Sequence, residues 1–351
     1  MLLSPGEVIA DKYRVEHALG SGGMGMVVCA RHLELDDLVA IKAMHPRAAA
    51  DPALSQRFLR EARTAVKLKG MHVARIMDVG RLPDGAPYIV MEKLAGEDLR
   101  KVLTSRGRLP VEEAAGLLLQ ACDAIAEAHA AGIVHRDLKP ANFFLAAQSG
   151  GDPILKVLDF GISKSRSSGG AASAPEPDLT NSHAMLGTVR YMSPEQMRSS
   201  RDVDHRTDIW SLGITLYELL AGRTPFTGIT AHEISAQVLR DVPPRCKELV
   251  PTLPEALDAV VMRCLEKEPG DRFSTVGELA EGLAPSHPRA HAWDWSVSGT
   301  CAQTCPCACG LGARRLRRGR QPRRRGLVHH TSDRIGGEPG APPGERPRTD
   351  R

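Results

Sequence analysis

His135-Arg136-Asp137-Leu138-Lys139-Pro140-Ala141-Asn142, HRDLKPAN at residues 135–142, carries the densest chemical signal in the chain. It sets a Lys two positions after an Asp and an Asn five positions after it, all in one short polar loop. Apolar runs flank the loop on both sides, which argues against a solvated surface turn. The grouping suits phosphoryl transfer. Asp137 can orient a hydroxyl and take its proton, Lys139 can neutralise a moving phosphate, and Asn142 can hold a metal ion.

Toward the N-terminus, residues 114–134 form the longest apolar run, but Gln120, Asp123, Glu127 and His129 interrupt it. It falls short of the ~18 uninterrupted apolar residues of a membrane span, and the pattern predicts an amphipathic helix over 111–131. Gly132 follows as a helix-terminating glycine. A shorter helix is expected over 97–106, after a break at 92–96. Before the break, alternating and β-branched runs predict five strands: 13–18, 26–30, 38–42, 73–79 and 86–91. Asp51-Pro52 opens an amphipathic helix over 54–69, with Leu54, Phe58, Leu59, Ala62, Ala65 and Val66 on one face. The first two strands are joined by GSGGMG, Gly20–Gly25, whose bare amides can approach phosphates closely. A helix would follow such glycines in a dinucleotide fold, whereas Met26-Val27-Val28 predicts a strand. Lys42 stands alone in an apolar strand, either reaching out to water or pairing with a helical Glu such as Glu61. Arg57, Arg60 and Arg63 offer Glu61 an alternative surface pairing.

Toward the C-terminus, strands are expected at 143–145 and 154–158, the second ending in Asp159-Phe160-Gly161. An Asp on a tight turn behind an apolar strand is a candidate Mg²⁺ ligand, or else an ordinary Asp turn. Residues 163–182 are rich in Ser, Gly, Ala and Pro, and a loop of this length inside a domain is functional or disordered. GTVRYMSPE, 187–195, restores order. Residues 207–220 predict a buried central helix with Asp208 near its start. Further helices are expected at 230–240, 255–266 and 275–283. Arg272 lies in a loop, and a buried pair with Glu195 would account for both residues.

The composition, 42% apolar and 25% charged in 351 residues, is that of a soluble globular protein with room for one large domain or two smaller ones. The net charge of +4 averages two unlike regions. Residues 285–351 hold 13 Arg, no Lys and 5 acidic residues, leaving 33 basic against 37 acidic residues in 1–284. The mildly acidic body gives no sign of nucleic-acid binding. The tail, rich in Arg, Pro and Gly, cannot bury enough apolar surface to fold. It is open to three readings: a solvated disordered tail, a basic arm for nucleic acid or acidic lipid, or out-of-frame translation of a GC-rich gene. Cys301, Cys305, Cys307 and Cys309 lie there with C-x₃-C-x-C-x-C spacing, unlike a usual zinc site. Cys29, Cys122, Cys246 and Cys264 fit reduced thiols in a core. Ser4-Pro5-Gly6 breaks the N-terminal apolar stretch, so a secretory signal is not expected and a cytoplasmic location is.

In order along 13–284, GSGGMGMV, VAIK (39–42), Glu61, HRDLKPAN, DFG (159–161), SPE (193–195) and DIWSLG (208–213) resemble the protein kinase family. GGMGMV, RFLREAR and RYMSPEQM are most similar to its bacterial, eukaryotic-like Ser/Thr members. SPE stands where the family more often has APE. The resemblance implies an α+β, two-lobed fold. An N-lobe (13–94) carries a five-stranded antiparallel sheet and one helix, and a mainly helical C-lobe (95–284) follows. It implies ATP, with Mg²⁺ or alternatively Mn²⁺, and protein substrates bearing Ser or Thr acceptors.

By the same resemblance, Leu19, Gly20, Ser21, Gly22, Gly23, Met24 and Gly25 cover the phosphates, and Lys42, held by Glu61, contacts them. Val27, Ala40 and Leu145 enclose the adenine, Glu92 and Leu94 meet its edge, and Met91 is the gatekeeper. Asn142 and Asp159 hold the metal, Asp137 is the base and Lys139 stabilises the γ-phosphate. Thr188 lines the acceptor wall and Asp208 braces the loop. Arg136 pairs with a phosphorylated loop, with Thr180 and Ser182 as the candidate autophosphorylation sites, consistent with a kinase–kinase dimer. The competing readings are a kinase-fold binding or scaffolding module with little turnover and a small-molecule kinase. Intact Lys42, Asp137 and Asp159 argue against the first, and the DFG-to-SPE segment and Arg272 against the second.

Overall fold

The computed structural model describes residues 3–22, 25–160, 187–199 and 203–287, and the tail expected from 285 lies almost wholly outside them. The strand-forming runs of the first part build one antiparallel sheet: β1 (Val8–Ile9), β2 (Tyr13–Gly22), β3 (Gly25–His32), β4 (Asp37–Met44), β5 (Ile76–Arg81) and β6 (Pro87–Glu92). Their order is β1-β2-β3-β4-β6-β5. The sheet has six strands where five were expected, because β1 spans two residues and carries no alternation to read. Period-two alternation sends Val28, Ala30, Val39, Ile41, Tyr88 and Val90 into one apolar cluster. Val27, Ala40 and Lys42 thereby fall on the opposite, cleft-lining face.

Between β4 and β5 lie α1 (Pro46–Ala49) and α2 (Pro52–Ala65). Asp51 caps α2 by accepting from Ala53 and Leu54 N–H, with Pro52 in the first turn where its missing donor costs nothing. Phe58, Leu59 and Ala62 seat the helix on Met44 and Ile89. The helix stops at Ala65, short of the expected Lys69. Glu127, from the second lobe, takes the Lys69 and Gly70 N–H groups at 2.6 and 2.9 Å. The expected strand at 73–79 likewise shifts to β5, and Val73 instead bridges Val157.

The second part begins with β7 (Gly96–Asp98), which joins β8 (Phe143–Gln148) and β9 (Gly151–Val157) in a small antiparallel sheet with β8 in the middle. The helix expected from Glu97 starts at Leu99 instead, since Asp98 is its cap and accepts from Lys101 N–H at 3.0 Å. Helices α3 (Leu99–Arg106), α4 (Val111–Ala130), α5 (Pro194–Arg198), α6 (Arg206–Ala221), α7 (Ala231–Arg240), α8 (Cys246–Leu249), α9 (Glu255–Cys264) and α10 (Val276–Leu283) complete it. Gly132 has φ +73°, as a helix-ending glycine requires. Fourteen of sixteen α6 residues are buried, so α6 is the central helix, packed between α4 and α9. No helix among the described residues is long and apolar enough to cross a membrane. The polar residues of α4 are structural ties: Gln120 accepts from Leu155 N–H at 2.8 Å, and His129 and Glu127 bind other elements.

Candidate active site

The loop 135–142 is held from below by α6. Asp208, fully buried, accepts His135 N–H and Arg136 N–H at 2.8 Å each and also meets His129 Nε2 at 2.8 Å. Arg136 has φ +63°, a conformation that costs a non-glycine residue about 1–3 kcal/mol and persists only when its surroundings enforce it. Asp208 fixes its N–H, and Gln196 Nε2 donates to its carbonyl at 2.9 Å. His135 is buried, with Nε2 2.9 Å from Leu158 O, which ties the loop to the strand entering Asp159.

So braced, the loop brings four sequence-selected residues together. Lys139 Nζ lies 2.8 Å from Asp137 Oδ2 and 3.4 Å from Thr188 Oγ1. Asn142 Nδ2 donates to Asp137 O at 2.7 Å, which leaves its amide oxygen as the group available to a cation. The Asn142 main-chain carbonyl accepts Leu158 N–H at 2.9 Å, which ties Asn142 to the residue that precedes Asp159. An amide oxygen and a carboxylate form a hard-oxygen donor set that fits a divalent ion such as Mg²⁺.

Lys42 pairs with Asp159 rather than Glu61: Nζ to Oδ1 is 2.7 Å. Glu61 instead binds Arg57 Nε at 2.8 Å, one helical turn away, and its second oxygen is buried without a hydrogen-bond partner. Burial pushes the Glu61 carboxyl above its usual range, opposed in smaller part by Arg57. The expected Lys42–Glu61 pair is therefore absent from this conformation. The local alternative prevails because an i,i+4 partner is within reach whatever the lobes do. Beside Glu61 opens a cavity of about 310 Å³, lined by Arg57, Arg60, His135, Arg136 and Phe160 among others.

The nucleotide-site candidates lie along β2–β4 and the segment joining the lobes. β2 and β3 stay paired as far as Gly22 and Gly25, so the glycine stretch is the tip of a hairpin, followed by a strand as the sequence predicts. Gly25 is required by packing, since an added Cβ would run into Ala43 O, whereas Gly20 and Gly22 face open space. Leu19 and Ser21 are exposed, and Gly23 and Met24 lie outside the described residues. Val27 is directly across from Lys42, and Ala40 from Met91. Val27, Met91, Glu92, Leu94 and Leu145 are all partly exposed, as cleft-lining groups must be. The Glu92 side chain is engaged by Arg75 N–H and Lys156 Nζ, each at 2.8 Å. Thr180 and Ser182 lie outside the described residues.

Glu195 and Arg272 form the expected pair, bidentate at 2.8 Å, with the guanidinium also donating to the Glu266, Arg206 and Lys267 carbonyls. The departure to SPE has a local cause. Ser193 caps α5 in a reciprocal capping box with Gln196. Gln196 also positions Arg136, a role that sequence reading missed although the Ser-x-x-Gln signal was legible. Tyr191, Glu218 and Arg100 were missed as well. The Tyr191 hydroxyl donates to Glu218 Oε2 at 2.5 Å, and Arg100 reaches both residues. Burial beside Glu218 pushes the Tyr191 hydroxyl pKa up. Their separations in sequence, 91 and 118 residues from Arg100, carry no local signal.

The family described as protein kinase domain matches residues 13–283. A probable serine/threonine-protein kinase PknB of Corynebacterium glutamicum is 37% identical over 298 residues, covering 81% of this chain and 44% of the relative. Serine/threonine-protein kinase pkn3 of Myxococcus xanthus is 38% identical over 269 residues, covering 76% and 48%. The chain thus spans less than half the length of these curated relatives. Among solved structures, the PknI kinase domain of Mycobacterium tuberculosis superposes with a TM-score of 0.62 at 30% identity, covering 82% of this chain and 100% of that one.

Proposed function

The chain belongs to the protein kinase domain family, and from that premise we propose that it transfers the γ-phosphoryl group of ATP to serine and threonine hydroxyls of proteins. The observation that carries this reading is the meeting of Asp137, Lys139, Thr188 and Asn142 at hydrogen-bond distance, with Asn142 tied to the residue that precedes Asp159. Asp137 orients the acceptor hydroxyl and takes its proton as the new oxygen–phosphorus bond forms and the bond to the departing ADP oxygen breaks. Lys139 neutralises charge on the moving group, and Thr188 walls the acceptor. Asn142 and Asp159 would hold Mg²⁺, with Mn²⁺ as an alternative, and the ion supplies charge neutralisation at the phosphates.

Two partner exchanges accompany nucleotide binding. Lys42 leaves Asp159 for the α- and β-phosphates, and Glu61 leaves Arg57 for Lys42. The glycine hairpin covers the phosphates. Val27, Ala40 and Leu145 enclose the base, Met91 is the gatekeeper, and the main chain at Glu92 and Leu94 meets the base edge. Phosphorylation at Thr180 or Ser182, between two copies of the chain, would supply an anion for Arg136. The catalytic domain spans 13–284 and works in the cytoplasm on protein substrates.

The test is incubation of purified chain with labelled ATP and Mg²⁺, with a generic basic protein as acceptor, beside Asp137→Ala. Labelling of Ser or Thr is expected, and a fall of about 10²–10⁴-fold in the variant. No incorporation into either protein defeats the proposal. Undiminished labelling by Asp137→Ala defeats the assignment of the base.

A further inference from the structure

The root of the glycine hairpin carries a donor set that phosphoryl transfer does not use. β2 and β3 pair regularly from Tyr13–His32 to Val15–Ala30, then slip by one residue, so that His17 rather than Glu16 stands across from Cys29. The extra residue is a β-bulge, which re-aims side chains where two residues oppose one. Here it gathers a Glu16 carboxylate oxygen, a His17 ring nitrogen and Cys29 Sγ within 4.8 Å of one another. Cys29 is buried, Glu16 partly exposed and His17 exposed, so the cluster opens to solvent over a sulfur floor. Among the described residues neither the His17 ring nor the Cys29 thiol has a hydrogen-bond partner. Glu16 engages only Oε1, with Arg31 Nε at 2.8 Å.

We propose that Glu16, His17 and Cys29 form a binding site for a divalent transition-metal ion of the Zn²⁺ class. Thiolate, imidazole and carboxylate are the side chains such borderline ions select, and three protein ligands leave a fourth position for water. Bond lengths of about 2.0–2.3 Å place tetrahedral ligand atoms about 3.5 Å apart. Rotation of the solvent-facing Glu16 and His17 side chains closes the remaining ångström or so. As the sulfur–metal bond forms, the Cys29 thiol gives its proton to solvent. Arg31 keeps Oε1 and orients the carboxylate, leaving Oε2 for the ion. Cys29 is directly across from Ala40 and two residues from Val27 on the same strand, so the ion would lie on the cleft face of the sheet, beside the proposed nucleotide site.

Titration of the reduced, nucleotide-free full-length chain with Co²⁺, a spectroscopic substitute for Zn²⁺, tests the site. All samples carry Cys301→Ser, Cys305→Ser, Cys307→Ser and Cys309→Ser so that these tail thiols add no sulfur ligand. A thiolate-to-cobalt charge-transfer band saturating at one ion per chain is expected, and Zn²⁺ should abolish it. Cys29→Ser should remove the band, and His17→Ala and Glu16→Gln should each weaken Co²⁺ binding by roughly ten-fold or more. Melting in the presence of chelator checks folding, and exposed His17→Ala should melt as the parent does. No band, or a band insensitive to Cys29→Ser or to His17→Ala, overturns the proposal. The readout needs no phosphotransfer, so this site and the proposed catalytic function fail or stand separately.

Discussion

Glu61 holds Arg57 with one carboxylate oxygen, while the other is buried without a partner, an arrangement that costs stability where it stands. Burial raises its pKa, so the folded state binds the proton more tightly than the unfolded chain does. The charged form therefore destabilises the fold at neutral pH. That cost shrinks as the pH falls through the raised value and is gone below the ordinary 4.5. Glu61→Gln removes it. Melting temperatures should favour the variant at pH 7, with the advantage fading toward pH 4.5, while its phosphotransfer should fall if Lys42 takes Glu61 as the partner proposed above. Equal melting at pH 7 would sink the argument. A residue that is worse for the resting fold than its neutral isostere fits one kept for another conformation. The choice between Arg57 and Lys42 was not legible in the sequence. Both partners were visible, but only the distance across the sheet decides which is met.

At the scale of elements, the hairpin β2–β3 separates two kinds of glycine. Gly22→Ala should leave the melting temperature unchanged, since its Cβ would meet nothing, so any loss of ATP affinity reports on the phosphates alone. Gly25→Ala forces a Cβ against Ala43 O and should cost about 1–3 kcal/mol in denaturant unfolding. In the helical lobe, the Arg272 side chain is fully buried against Glu195. Removing one partner of a buried pair strands the other charge, so Arg272→Ala should lose about 3–5 kcal/mol by urea titration. A loss no larger than that of an exposed Arg→Ala control would contradict it. Helix and strand positions were mostly legible because apolar spacing reports the buried face directly. The ends were less so: α2 stops at Ala65, ahead of the Lys69 and Gly70 amides that Glu127 takes, and α3 starts where Asp98 turns to cap it.

At the scale of the whole molecule, the Lys42–Asp159 pair joins the sheet lobe to the helical lobe across the cleft. A metal–nucleotide complex that draws on both residues should stabilise the chain, by about 2.7 kcal/mol at a hundred-fold excess over Kd. Thermal melts with Mg²⁺ and a non-hydrolysable ATP analogue should show this increment, and Asp159→Asn should lose most of it. An undiminished increment in the variant would remove Asp159 from the metal site.

The family resemblance, the two-lobed architecture it implies and the identity of the groups clustered at Asp137 were legible in the chain. Those are carried by residue types at short, fixed spacings and by periodicity, both of which survive in one dimension. Glu195–Arg272 apart, which charges meet followed from the three-dimensional packing. Lys42 with Asp159, Glu61 with Arg57, and Arg100 with Glu218 are choices among several chemically equivalent partners. Such a choice depends on separations of a few ångströms between elements far apart in the chain, and ion-pair energies change steeply over that distance.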